Sequence, residues 1–124
     1  MIEIDADVFT YDEDEDYSKE TFVVTGNFAP DVVMDALGRA AERFMAVDEN
    51  GVEHDPTRLD EVYLSGVYTP NYVSKPEITS RGIRVYVDCK GAIDDEMAQA
   101  LRRVLREELD ATGVDARVSA VTYE

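Results

Sequence analysis

The sequence predicts one α+β domain over residues 1–124, a two-layer sandwich in which two helices cover one face of an antiparallel sheet. Three observations lead to this fold. Two segments carry apolar residues at helical spacing, one over residues 30–46 and one between Asp94 and Gly113. Other segments show the alternation or the β-branched and aromatic composition of strands, at 2–10, 21–28, 60–68, 81–90 and 114–123. The length of 124 residues suits a single hydrophobic core, and no linker or internal repeat divides it.

The first helix is expected to begin at Pro30. Proline has no backbone N–H, and in the first turn of a helix an N–H has no hydrogen-bond partner within the helix, so nothing is lost there. Gly38 lies in the middle of this helix, and we interpret it as a point of close packing on the sheet. The apolar stripe consists of Val32, Val33, Ala36, Leu37, Ala40, Ala41, Phe44 and Met45.

The second helix is expected to start with the acidic residues Asp94, Asp95 and Glu96, whose charge complements the positive end of a helix dipole. Gly113 ends it. Its apolar stripe consists of Ile93, Met97, Leu101, Val104, Leu105 and Leu109. Since each helix is apolar on one side only, both are expected to pack on the same sheet face.

The predicted elements of residues 20–123 follow the order strand, helix, strand, strand, helix, strand. This βαββαβ order is that of the ferredoxin-like sandwich, and right-handed crossovers favour the order 4-1-3-2 for its four strands. Residues 69–80 contain two prolines and are interpreted as a long connection.

The N-terminal strand 2–10 is extra to that unit. Its alternation places Val8 on the inward side and Phe9 on the outward side. The acidic loop 11–19 leaves two placements open, an outer edge of the sheet or a hairpin with strand 21–28, and we expect the edge.

The chain carries 28 Asp and Glu against 12 Lys and Arg, a formal charge of −16, and only three of the basic residues are Lys. This composition resembles that of cytosolic proteins from salt-accumulating halophilic archaea. The single cysteine allows no internal disulfide, and no apolar run is long enough for a membrane span or a secretory signal. We therefore expect a cytoplasmic protein without membrane association.

Nucleic-acid binding is not expected, because the molecule lacks the basic footprint that a phosphate backbone requires. Residues 81–88 begin with Arg-Gly, as one segment of the RNA-recognition motif does. However, Ile83 and Val85 occupy the places where that motif needs aromatic residues to stack on bases.

No catalytic or metal constellation is identifiable, so enzymatic activity is not expected and no cofactor is assigned. Asp12, Asp14 and Asp16 have the spacing that opens a calcium loop, but the glycine and the final glutamate of such a loop are missing. His54 is interpreted as a solvated loop residue, and Cys89 as an inert inward-facing thiol.

The outward face of the predicted sheet is the preferred candidate site. It combines aromatic side chains with several of the few positive charges and is expected to be poor in carboxylates, as protein interfaces are. We expect it to contact a second copy or a protein partner, or alternatively to bind a ligand. Its residues are Tyr63, Val67, Arg84, Tyr86, Lys90, Arg117, Val121 and Tyr123.

A second candidate is the outer side of the second helix, where Arg102, Arg103 and Arg106 are possible anion-binding residues. The neighbouring acids at 107, 108 and 110 favour a solvated mosaic of charges instead. The preferred function is thus a non-enzymatic interaction or homo-oligomerisation module. The alternative is a regulatory domain that binds a small molecule or anion through Arg84, Tyr86 and the 69–80 loop. A catalytic domain with no assignable site comes third.

The acidic composition predicts a steep dependence of stability on salt. Mutual repulsion among carboxylates opposes folding at low ionic strength and is screened at high ionic strength. The thermal unfolding midpoint should therefore rise strongly between about 0.1 M and about 2 M KCl. An unchanged midpoint would contradict the resemblance to halophilic proteins.

The sheet-face interpretation predicts a dimer that Tyr86→Glu dissociates, because the substitution adds a charge to the proposed contact. The measurement is the solution mass of both proteins in concentrated KCl. A monomeric native chain, or a variant that stays dimeric, would remove this interpretation.

Overall fold

The regular structure consists of two α-helices, a short 3-10 helix at Pro56–Arg58 and eight strands. They are counted over the described residues of a computed structural model, which are 1–12, 17–18, 20–48, 50–58, 72–88 and 93–121. Within these ranges neither helix has the length and apolar character needed to cross a bilayer. The elements are β1 Ile2–Ile4, β2 Tyr11–Asp12, β3 Tyr17–Ser18, β4 Thr21–Gly26, α1 Pro30–Phe44, β5 Tyr72–Val73, β6 Glu77–Thr79, β7 Gly82–Asp88, α2 Asp95–Asp110 and β8 Ala116–Ala120.

The main sheet is mixed and has the order β1-β8-β4-β7, with β5 and β6 both pairing with the far side of β7. Strand β4 lies in the middle and is antiparallel to both neighbours, so that Phe22 pairs with Val85 and Val24 with Val118. Strand β1 is parallel to β8 at the opposite edge. Strands β2 and β3 form a separate antiparallel pair.

The strand order departs from the predicted four-strand order in two respects. The parallel strand β1 extends the sheet beyond β8, at the edge position expected for the extra strand. The place beside β7 is occupied by β5 and β6, from the segment predicted to be a connection. The predicted strand 60–68 lies outside the described residues. These pairings show an α+β arrangement but do not establish the ferredoxin-like order.

The prediction of a connection at residues 69–80 is wrong for β5 and β6, because prolines argue against a central strand but are tolerated at an edge. The edge is interrupted between these two strands, around Pro76. In this gap Ser74 still pairs with β7, since its N–H donates to Tyr86 O at 2.9 Å and its Oγ accepts from Tyr86 N at 3.0 Å.

The N-terminal strand is shorter than predicted and ends at Ile4. The chain then turns, with Val8 N donating to Asp5 O at 3.1 Å and Thr10 N donating to Asp7 O at 3.4 Å. Phe9 has a φ of 63° and is fully buried, so its predicted outward orientation is wrong. The alternation rule fails here because it holds only for extended backbone.

Both predicted helices are confirmed. Asp94 caps α2 by accepting a hydrogen bond from Met97 N at 2.8 Å, and the whole apolar stripe of α2 is buried. In α1 the stripe is buried at Val33, Ala36, Leu37, Ala40 and Phe44, whereas Ala41 is partly exposed and Val32 and Met45 are 41% and 36% exposed. Gly38 is exposed, and apart from its chain neighbours and the backbone of its own helix a Cβ there would meet no described atom within 4 Å. Its interpretation as a packing position is therefore wrong.

The hydrophobic core lies between the helices and the face of the sheet that Phe22, Ile83 and Val118 share. Leu37 and Phe44 from α1, and leucines from α2, complete the same cluster. The two helices therefore cover one face, which leaves the outer side of α2 and the opposite face of the sheet as surfaces for function.

Candidate functional site

The sheet face opposite the helices, here called the reverse face, contains four of the eight residues predicted for it. The strand register places Thr21 beside Tyr86, Val23 beside Arg84 and Thr25 beside Arg117. Val121 follows β8 and donates its N–H to Thr21 O at 2.9 Å. Arg84, Tyr86, Arg117 and Val121 thus belong to one surface. Tyr63, Val67, Lys90 and Tyr123 lie outside the described residues.

The reverse face is not poor in carboxylates, contrary to expectation. Arg84 Nη2 donates to Glu77 Oε2 at 2.6 Å, and Arg117 Nε donates to Asp5 Oδ1 at 3.1 Å. These partners come from β6 and from the turn after β1, two segments whose structure differs from the sequence prediction. The two arginines are therefore neutralised within the chain, and neither offers an unpaired charge to a partner.

The centre of the reverse face is also closed to solvent within a single chain. Thr21 and Val23 are only 7% and 9% exposed, and the Thr21 hydroxyl is buried without a hydrogen-bond partner among the described residues. Beside them, burial and the nearby charge of Asp88 raise the pKa of Glu20, although a hydrogen bond from Tyr86 opposes that shift. The described centre of this face is therefore not an open surface of the kind that a protein interface needs.

A different surface has the features of a binding site: the outer side of α2 where it meets the N-terminal segment. Gln99, Arg102, Arg103 and Arg106 recur on one side of the helix, three or four residues apart. Two residues of the N-terminal segment with apolar side chains, Ile4 and Ala6, complete the lining. Together these six residues line a hollow of about 380 Å³, which we call the arginine hollow.

Two of the arginines are held in place by main-chain carbonyls. Arg102 Nη1 donates to Val8 O at 2.7 Å, and Arg106 Nη1 donates to Ile2 O at 2.9 Å. A guanidinium has five N–H donors, so each of these contacts leaves further donors available. The contacts fix the orientation of both side chains without neutralising their charge.

The acids nearest in sequence do not pair with these arginines. Glu107 and Glu108 point to the other helix, where Arg43 donates to them at 2.7 and 3.2 Å. In the described part of the chain, Arg102 and Arg106 form no ion pair. Glu107 and Glu108 therefore do not neutralise these two arginines directly.

Arg103 has one weak carboxylate partner, Glu53, with Nη2 and Oε2 3.9 Å apart. Glu53 is mainly engaged by Arg43, whose Nε donates to it at 2.6 Å. This hydrogen bond lowers the pKa of Glu53 against the opposing effect of its burial. Arg103 is thus a third cation at the hollow whose charge is only partly offset.

A second hollow, of about 420 Å³, lies beside the N-terminus but is less suited to an anion. The Met1 ammonium forms an ion pair with Asp115, and Arg117 pairs with Asp5. Its cationic groups are already neutralised.

The segment after α1 forms a tight hairpin, closed by a bridge between Val47 and Glu53. Asp48 is buried in it, and its Oδ1 accepts from Asn50 N at 2.9 Å and from Val52 N at 3.0 Å. Its Oδ2 lies 2.8 Å from His54 Nε2. The histidine predicted to be solvated is therefore paired, because the hairpin curves it back onto Asp48.

The remaining sequence candidates are a cysteine and the acidic residues of the loop 11–19. Cys89, Asp14 and Asp16 lie outside the described residues. Among those that are described, no group of three or more His, Cys, Asp or Glu side chains is arranged to hold a metal ion.

Comparison with known proteins assigns no relationship: no protein-family profile, characterised protein or solved structure shows significant similarity to the chain. The function of the chain is therefore inferred from its geometry and charge.

The Asp48–His54 pair predicts a pH-dependent contribution to stability. Burial disfavours the charge of Asp48, but hydrogen bonds from His54, Val52 and Asn50 outweigh it and lower the pKa of Asp48. The pKa of Asp48 is lower in the folded protein than in the unfolded chain. The stabilisation that Asp48 provides is therefore present at pH values above the ordinary carboxyl pKa, and it is lost as pH falls through the lowered pKa. Asp48→Asn, which retains an acceptor oxygen, should cost roughly 1–2 kcal/mol at neutral pH.

The measurement is urea unfolding of both proteins between neutral pH and about pH 3, compared as a difference in free energy. The difference in unfolding free energy between the native chain and Asp48→Asn should decrease as pH falls. In a double-mutant cycle with His54→Gln, the two substitutions should be coupled. A difference that stays constant or grows at low pH would contradict this role of Asp48.

Proposed function

We propose that this protein is a small, non-enzymatic binding module that takes an anionic ligand at the arginine hollow. One observation carries the proposal: Arg102 and Arg106 are oriented by main-chain carbonyls and have no carboxylate partner in the described residues. In a chain of charge −16, with far more acids than bases, two such guanidiniums in one hollow provide charged hydrogen-bond donors for an anion.

The overall charge sharpens this argument. The long-range field of a chain with charge −16 repels anions, so attraction must come from short-range hydrogen bonds and local charge. Concentrated salt screens the repulsion over distances beyond a few ångströms. Charge-assisted hydrogen bonds from oriented guanidiniums act within that distance, so part of their attraction for an anion remains in concentrated salt.

A binding role fits the hollow better than a catalytic one. Its described lining consists of three arginines, one glutamine and two apolar residues, none of which is a ready nucleophile or general base at neutral pH.

The proposal also includes a ferredoxin-like fold and a salt-rich cytoplasm as the environment of the protein. The order β8-β4-β7, with α1 and α2 on one face, and the acidic composition support them.

Self-association through the reverse face is the second candidate. It is favoured by the placement of Arg84, Tyr86, Arg117 and Val121 on one surface. We rank it below anion binding because both arginines are paired within the chain and the central positions are buried. The solution mass of the native chain and of Tyr86→Glu tests it.

Anion binding at the hollow predicts that inorganic phosphate raises the unfolding midpoint saturably, at a constant KCl concentration that keeps the protein folded. Arg103→Gln should weaken phosphate binding about tenfold, since one charge-assisted contact is lost. It leaves both main-chain contacts of Arg102 and Arg106 in place. Ala6→Asp, at an exposed position, should abolish binding by placing a carboxylate in the hollow.

Two matched controls separate local binding from net charge. Arg81→Gln and Ser80→Asp make the same charge changes in the exposed turn between β6 and β7. Neither should change phosphate affinity by more than about twofold. No saturable stabilisation of the native chain, or equal losses in the control variants, would reject the proposal.

A further inference from the structure

The arginine hollow has two chemically different sides. Gln99 and the three arginines supply hydrogen-bond donors from α2, whereas Ile4 and Ala6 supply methyl and methylene groups from the N-terminal segment. From this pairing we infer that the ligand is a short aliphatic organic anion, a carboxylate or phosphate ester. Its charged group binds the guanidiniums and its hydrocarbon chain lies against Ile4 and Ala6. The inference rests on the proposed anion-binding function and adds the class of ligand.

The size of the hollow supports an organic ligand over an inorganic ion. A volume of about 380 Å³ is within the range of small-molecule sites. An ion such as phosphate would occupy the guanidinium side and leave Ile4 and Ala6 in contact with water. A ligand with a hydrocarbon chain removes that apolar surface from water, which is favourable.

The composition of the lining argues against a nucleotide. Recognition of a base generally uses an aromatic side chain or a guanidinium plane for stacking, together with hydrogen bonds to the base edge. No aromatic residue is among the described residues of the lining, and two of its guanidiniums are tied to main-chain carbonyls. The amide of Gln99 provides few contacts for reading a base edge.

The charge of the protein favours a ligand of low charge with an apolar part. Each extra negative charge on the ligand increases repulsion from a chain of charge −16. Salt weakens the attraction to guanidiniums, whereas the hydrophobic contribution is not screened. The apolar side of the hollow therefore supplies affinity that salt does not weaken.

The contacts of Arg102 and Arg106 also favour binding by lowering its entropic cost. Long arginine side chains lose rotamer freedom when they bind, but these two are already held by Val8 O and Ile2 O. The carbonyls belong to the same segment as Ile4 and Ala6, so the N-terminal segment positions both sides of the site.

The test is calorimetric titration of the full chain at one KCl concentration with a series of alkanoates, acetate, butyrate and hexanoate, and with ethyl and hexyl phosphate. Affinity should rise about two- to fourfold per added methylene until the chain exceeds the hollow. Hexanol, which lacks the charge, should bind at least about tenfold more weakly than hexanoate. Adenosine monophosphate should bind no better than ethyl phosphate.

Different substitutions test the apolar side and the guanidinium side of the arginine hollow separately. Ile4→Thr should reduce the dependence of affinity on chain length, measured as the ratio of the hexyl phosphate affinity to the ethyl phosphate affinity. Ala6→Ser provides the same comparison at an exposed position if Ile4→Thr proves unstable. Arg103→Gln should lower the affinity for every anion and leave the dependence on chain length unchanged, and Arg81→Gln should change neither.

The outcomes distinguish this inference from the proposed function. If phosphate and acetate bind but chain length has no effect, the aliphatic ligand is rejected and anion binding stands. If no anion binds, both are rejected. If hexanol binds as well as hexanoate, or adenosine monophosphate binds more tightly than hexyl phosphate, the assigned ligand class is wrong.

Discussion

The attachment of the N-terminal segment to the core is the constraint on which the candidate site depends. Phe9 adopts a left-handed backbone conformation and packs edge-to-face against Phe22 and Phe44, with ring centroids 5.5 and 5.9 Å apart. The backbone conformation costs of order 1–3 kcal/mol, which burial of an aromatic side chain offsets. With Phe9 fixed, the segment from β1 to the following turn lies against α2, and the carbonyls of Ile2 and Val8 reach Arg106 and Arg102.

The distribution of carboxylates among the arginines follows from the packing of the two helices. Arg39 and Arg43 of α1 lie beside Glu107 and Glu108 of α2, and the hairpin adds Glu53 to Arg43. The pairs of Arg43 with Glu53 and Glu108 are partly buried and therefore less screened than surface pairs. They occupy the carboxylates that α2 would otherwise present to its own arginines. A molecule with a large excess of acids thereby keeps a small cationic surface.

Packing against neighbouring segments also explains why the described arginines of the reverse face are paired with carboxylates. Arginines that project from a strand meet the strands on either side, and here those neighbours supply Glu77 and Asp5. On the outer side of α2 the neighbour is a segment that presents main-chain carbonyls and apolar side chains. The difference between a neutralised surface and a binding surface thus depends on which chain segment lies alongside, rather than on the arginines themselves.

Much of the fold could be predicted from local patterns. Both helices, their buried stripes and the central strands β4, β7 and β8 follow from apolar spacing, with Asp94 as the cap of α2 and Pro30 at the start of α1. Of the candidate site, the sequence identified Arg102, Arg103 and Arg106 but not Ile4, Ala6 or Gln99. Helical spacing alone does not reveal which segment packs beside a helix.

The sequence by itself determined the position of the helices, the core-facing side of the central strands and the acidic character of the chain, because these depend on residue types and short-range spacing. Only the tertiary structure decided that Phe9 turns inward, that β5 and β6 form the edge beside β7, and that Glu107 and Glu108 pair with α1. Each of these depends on contacts between residues far apart in the chain. The free energy of such contacts is set by the neighbours that folding brings together, which no local pattern encodes.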